Sequence, residues 1–215
     1  VSIGSVAGMV LVPAVHGDTV VLASEGGTVT GLDARTGSSL WRVQLNARLA
    51  AGVGTDGRRT AVVSKERQLI VIENGVEKWQ KQLPAQAFTA PLVAGGRVFV
   101  VTGDRSVMAF DGETGYRLWN QQRQGEALVL QASGLLTAVG DTLVAGLSGR
   151  MVGFDPDTGA IRWEAPLAAP RGSNDVERLV ELLGGVSREG NVVCARAFQA
   201  AVGCVDASRG ALLWT

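Results

Sequence analysis

Three sets of residues in this 215-residue chain have types and spacing that could do chemistry. The first is a recurring aspartate: Asp33, Asp111, Asp155 and Asp206. Its carboxylate could ligate a cation or accept backbone hydrogen bonds. The second is the single histidine, His16, a potential acid, base or ligand. The third is the cysteine pair Cys194 and Cys204. The surroundings of each set favour structure over reactivity. Three of the aspartates open an Asp-x-x-Thr-Gly segment ending at Gly37, Gly115 and Gly159, and the fourth opens Asp206-Ala207-Ser208-Arg209-Gly210. A short acid that accepts from the N–H groups just after it, followed by a glycine free to take positive φ, is the chemistry of a tight turn. The aspartates therefore read as turn formers rather than metal ligands. His16 stands in Ala14-Val15-His16-Gly17-Asp18, which reads as a surface turn. No Ser/His/Asp set, Gly-rich phosphate loop or metal-ligand cluster can be assembled from the sequence.

The elements that position these residues repeat. A tryptophan follows each turn glycine by four residues, giving Trp41, Trp119, Trp163 and Trp214. A shortened copy, Ile72-Glu73-Asn74-Gly75, leads to Trp79. These are all five tryptophans of the chain, and they stand 38, 40, 44 and 51 residues apart. A period of roughly 40–45 residues suits a four-stranded propeller blade. Upstream of each turn lie two short alternating runs joined by a tight connection, such as Thr19–Ser24 with Thr28–Asp33, Thr60–Ser64 with Gln68–Glu73, Arg97–Gly103 with Val107–Asp111, and Thr142–Leu147 with Met151–Asp155. Alternation rich in Val, Leu and Phe predicts half-buried strands. The fold class is therefore all-β, a β-propeller with about five blades at residues 1–46, 47–84, 85–122, 123–166 and 167–215, all in one domain. Each Trp is expected to begin the outer strand and to pack its ring between neighbouring blades.

Composition limits the partners. Twenty basic and twenty acidic residues give a formal net charge of zero, against nucleic acid or an anionic membrane surface as the main partner. No run approaches a membrane span. The strand pattern is cut at Leu213-Trp214-Thr215, and the chain reads as a stretch of a longer one. The long final step has its cause in Ala168–Gly190. There Asn174 as a cap, Glu177 three residues on, and Gly184-Gly185 as a stop predict a short helix with Val176, Leu179, Val180 and Leu183 on one face. It would pack on a blade edge or be presented to a partner. Lys65-Glu66-Arg67 reads as a solvated hairpin tip. For the cysteines, a three-residue turn centred on Gln199 sets Cys194 opposite Cys204 and allows a disulfide in an oxidising compartment. A two-residue turn at Gln199-Ala200 would put the sulfurs on opposite faces and leave two small buried apolar residues.

The Asp-x-x-Thr-Gly-x-x-x-Trp segments resemble the PQQ-type propeller repeat, which serves several functions. Two segments outside the repeat, Ala127-Leu128-Val129-Leu130-Gln131 and Pro170–Leu179, resemble interblade loops of the BamB family of outer-membrane assembly lipoproteins. The cysteine hairpin resembles β-proteobacterial members of that family. The resemblance covers essentially the whole chain. It implies part of an eight-bladed ring, a non-enzymatic scaffold without cofactor or metal, and attachment to the periplasmic face of the outer membrane through a lipid anchor lying outside this sequence. It also implies binding to the POTRA domains of BamA within the Bam complex, and help in folding outer-membrane proteins. The contact residues carried over are Leu128, Leu130, Gln131, Arg178, Glu181 and Leu183. Gln131 stands where the family has Arg, and Leu183 where it has an acid, so the implied interface is more apolar and less salt-sensitive. The rival readings are a PQQ-dependent dehydrogenase propeller and a propeller sensor domain. Against the first, the cysteines are ten positions apart rather than adjacent, and no calcium set stands outside the turns.

Overall fold

The computed structural model describes residues 11–123, 130–169, 180–198 and 200–215. It contains five four-stranded sheets, each a meander of sequence-adjacent strands, and no helix among the described residues. They are β1 (Ala14–His16), β2 (Thr19–Ala23), β3 (Thr28–Asp33) and β4 (Ser39–Gln44); β5 (Gly54–Thr55), β6 (Arg59–Val63), β7 (Gln68–Glu73) and β8 (Val76–Gln82); β9 (Leu92–Ala94), β10 (Arg97–Val101), β11 (Ser106–Asp111) and β12 (Arg117–Gln122); β13 (Leu136–Val139), β14 (Thr142–Leu147), β15 (Arg150–Phe154) and β16 (Ile161–Pro166); and β17 (Leu182–Glu189), β18 (Val192–Ala197), β19 (Val202–Asp206) and β20 (Ala211–Trp214). These are propeller blades. The chain divides into two compact units, Val1–Thr102 with Phe110–Arg117, and Gly103–Ala109 with Leu118–Thr215.

The middle strands are more buried than alternation predicts. All five residues of β6 are buried, as are the four central residues of β7. In the first unit β5 lies against both β1 and β9, so the second sheet has neighbours on its two faces. A strand covered twice reads as a continuous apolar run, such as Leu69-Ile70-Val71-Ile72, rather than as alternation. The core of this unit gathers Val21, Val29, Leu49, Val62, Ile70 and Ile72. That of the second unit gathers Leu135, Val144, Met151, Leu182, Val193 and Val205.

The turn chemistry is the one the sequence indicates. Asp33 Oδ1 accepts hydrogen bonds from the Arg35 and Thr36 N–H groups and from Thr36 Oγ1. Asp111 and Asp155 repeat this set with Glu113 and Thr114, and with Asp157 and Thr158. Asp206 uses the N–H and hydroxyl of Ser208. In the short copy Asn74 (φ 50°) and Gly75 (φ 78°) both take the left-handed conformation, the geometry of a two-residue hairpin turn.

These bonds stabilise the ionised carboxyls. Asp155 is lowered to about 2, first by the Arg162 guanidinium and then by the Thr158 N–H. Asp33 and Asp111 are lowered first by the backbone N–H groups of Thr36 and Thr114, and Asp206 first by the Ser208 hydroxyl. A carboxyl lower in the folded than in the unfolded chain contributes stability in full above the unfolded value, and loses it as pH falls through the folded value. The denaturation midpoint should therefore hold steady from neutral pH to about pH 5, then fall from about pH 4 toward pH 2. Urea denaturation across this range checks it. Asp155→Asn should flatten the fall, and an unchanged slope would contradict the assignment.

Each Trp sits inside the last strand rather than at its start. Trp41, Trp119 and Trp163 are third residues of β4, β12 and β16, Trp79 is fourth in β8, and Trp214 closes β20. The register shifts just before the ring in the four ladders where Gly31 pairs with Trp41, Val71 with Trp79, Gly153 with Trp163 and Cys204 with Trp214. A bulge of this kind re-aims a side chain. Three of these rings, Trp41, Trp79 and Trp163, lie on the turn glycine of the following repeat, and so does Trp119. In the first unit Trp41 lies on Gly75 and Trp79 on Gly115. In the second Trp119 lies on Gly159 and Trp163 on Gly210. Trp79 Nε1 donates to the Gly112 carbonyl and Trp119 Nε1 to the Pro156 carbonyl, each at 3.0 Å.

Candidate partner-binding surface

The described part of the predicted contact set lies in the second unit. Leu128 and Arg178 fall outside the described residues, as do the expected helix start at Asn174 and Glu177 and the turn centre Gln199. Leu130 is half-buried and Gln131 exposed, both in the irregular stretch ahead of β13. Leu183 is half-buried within β17. The fold joins the two segments: Gly134 and Leu183 form an isolated antiparallel bridge, and the Gly184 N–H donates to the Ser133 carbonyl at 2.6 Å. Gln131 is thus two residues from a direct backbone contact with the Leu183 strand.

The expected helix does not extend to Leu183. Leu182 and Leu183 pair with Ala197 and Arg196, and Gly184 and Gly185 lie within the strand rather than stopping a helix. A short apolar run fits either period, and pairing with β18 decides it. The glycine pair instead accommodates a register shift between Leu183 and Ser187, with Gly185 at φ 85°.

Glu181 is not a free acid on this surface. Its side chain is 15% exposed and ion-pairs with Arg105, whose own side chain is 9% exposed. Arg105 Nη2 donates to Glu181 Oε1 at 3.3 Å and Arg105 Nε to the Ser148 hydroxyl at 2.7 Å. The Ser148 N–H closes the triangle on Glu181 Oε2 at 3.3 Å. The Glu181 carbonyl in turn accepts from the Phe198 N–H at 2.9 Å. Sequence reading missed Arg105 and Ser148. They sit in hairpin turns, and nothing local marks a turn residue whose side chain reaches an acid 76 positions away.

Several other charged groups tie turns and strands together. In the first unit Glu25 accepts from both Arg48 and Lys65, which lower its carboxyl, Lys65 first. Lys65, expected only as part of a solvated tip, is thereby tied to another hairpin. Arg58 pairs with Glu73 and Arg59 with Glu113, each at 2.5 Å. In the second unit Arg162 bridges Asp141 and Asp155, at 2.9 and 2.8 Å. Among the described residues no group of three or more His, Cys, Asp or Glu is placed to hold a metal ion. His16 is exposed at the end of β1, opposite Thr19. Cys194 and Cys204 face each other on β18 and β19, with Cα atoms 4.0 Å apart, and are joined as a disulfide. That register is the one a three-residue turn centred on Gln199 produces.

Comparison with known proteins fits this architecture. A family described as "Outer membrane protein assembly factor BamB" matches residues 25–215. A protein of that name from Bordetella pertussis is 34% identical over 211 residues, covering 97% of this chain and 55% of its own. One from Burkholderia pseudomallei is 36% identical over 205 residues, covering 94% and 54%. The chain thus spans about half the length of the curated relatives it matches. Among solved structures, that of BamB from Moraxella catarrhalis superposes with a TM-score of 0.84 at 21% identity, over 95% of this chain and 63% of that one. A europium-containing methanol dehydrogenase gives 0.66 at 16% identity, over 94% and 50%. At these identities the likeness to solved structures is one of fold.

Proposed function

The chain belongs to the family of the outer membrane protein assembly factor BamB, and on that premise we propose that it is a non-enzymatic scaffold of outer-membrane protein assembly. In this reading it docks onto the POTRA domains of BamA within the Bam complex and assists folding and insertion of β-barrel clients. It works at the periplasmic face of the outer membrane of a Gram-negative bacterium, tethered through a lipid anchor. The observation that carries the reading is the backbone junction of the two segments that bear Leu130 and Leu183. Segments far apart in sequence thereby meet, each carrying a half-buried leucine, and a partner that buried both would gain the well-packed, desolvated contact that hot spots use. The repeated aspartates that a metal-dependent reading would need are committed to turns. Glu181 is ion-paired with Arg105 within the chain, which leaves one acid fewer for a partner to meet.

The test is a calorimetric titration of the intact protein against purified BamA POTRA domains. Leu130→Asp with Leu183→Asp should weaken binding by about thirtyfold or more, with the far-ultraviolet circular dichroism unchanged. Wild-type affinity should change by less than about threefold between low and physiological salt, because screening acts on charge pairs rather than on apolar contacts. Absence of wild-type binding at tens of micromolar would remove this reading, and a steep salt dependence would remove its apolar character.

A further inference from the structure

We propose that Arg105 is a positioning residue for partner docking, holding the Leu183 segment in its binding conformation through Glu181; this rests on the scaffold reading above. The first ground is backbone geometry. Four residues occupy one equivalent place in their repeats: Gly27, Arg67, Arg105 and Gly149. Each carbonyl accepts the N–H of a residue just beyond the fourth strand of its own sheet: Leu45, Leu83, Arg123 and Leu167, at 2.9, 2.8, 3.3 and 3.0 Å. All four backbones are left-handed, with φ of 88°, 62°, 61° and 75°. Glycine takes this conformation freely and an arginine does not, so an arginine kept there points to work done by its side chain.

The second ground is what that side chain reaches. Arg67 extends to the exposed Pro84 carbonyl at 3.1 Å. Arg105 turns inward, to the Ser148 hydroxyl and to Glu181, two residues ahead of Leu183. Glu181 is the last residue before β17, and β17 carries the bridge from Leu183 to Gly134. The planar guanidinium therefore fixes, through two donors at once, both the β14–β15 turn and the entry to the docking strand. A surface ordered before binding loses less freedom when the partner arrives, and affinity gains by that amount.

The two arginines make a matched experiment. Arg105→Gly and Arg67→Gly each relieve a left-handed arginine, but only the first removes the tether. In the intact protein, Arg105→Gly should weaken BamA POTRA binding by about tenfold. It should also speed hydrogen exchange at the Ser148 and Gly184 amides by about tenfold. Arg67→Gly should change neither. Arg105→Gly with Glu181→Gln removes the acid left without its partner, keeps the fold by circular dichroism, and should bind as weakly as Arg105→Gly alone. Wild-type binding matched by Arg105→Gly would overturn this proposal and leave the scaffold reading standing. Unchanged exchange at both amides would overturn it as well. A wild-type protein that fails to bind would sink the scaffold reading, and the docking role of Arg105 with it.

Discussion

Gly159→Ala lowers the unfolding free energy by about 2–5 kcal/mol, the sum of two independent costs. Gly159 has φ 75°, and an L-residue forced there costs about 1–2 kcal/mol. A Cβ at this position would also stand 2.6 Å from Trp119 Cδ2 and 2.7 Å from Cε3. The ring cannot retreat easily, because it stacks on Phe154 at 6.3 Å and its Nε1 is bonded to the Pro156 carbonyl. Overpacking against a held ring adds about 1–3 kcal/mol. Gly140 separates the two costs. It has φ 58°, and a Cβ there meets nothing within 4 Å. Gly140→Ala should therefore cost only about 1–2 kcal/mol. Urea denaturation of both variants measures the difference. Equal losses would mean that the Trp-on-glycine contact contributes nothing to the joint between successive repeats.

Phe154→Ala should cost about 3–5 kcal/mol, the cavity loss expected for a fully buried aromatic residue. Phe154 is 0% exposed at the end of β15, paired with Leu143 and Ile161 and lying against Trp119. Removing it leaves Trp119 without one of its faces, so tryptophan emission should shift to the red along with the fall in stability. Leu118, the neighbour of the same Trp, is 41% exposed, and Leu118→Ala should stay within about 0.5 kcal/mol. A loss below about 1 kcal/mol at Phe154 would show that the surrounding side chains collapse into the space.

The blade count and strand order were readable because each repeat carries its own local chemistry. An Asp that accepts from the next N–H groups and a Gly that turns left-handed fold the same way wherever they stand. The bulge before Trp41, Trp79, Trp163 and Trp214 was not readable. It arises from pairing Gly31 with Trp41 while Leu32 pairs with Ser39, a relation between strands rather than within one. Arg105 was invisible for the same reason: its turn looks like any other until Glu181 is brought against it.

The amino-acid sequence by itself determined the all-β class, the repeat and the turn role of its aspartates, since these depend on residues within a few positions of one another. Tertiary structure alone decided the rest. It made Leu182–Leu183 strand rather than helix by pairing them with β18. It selected the register that sets Cys194 against Cys204. It turned Glu181 inward and joined Gly134 to Leu183. Each of these outcomes depends on a partner far along the chain, and residue type constrains such a partner far less than it constrains a turn.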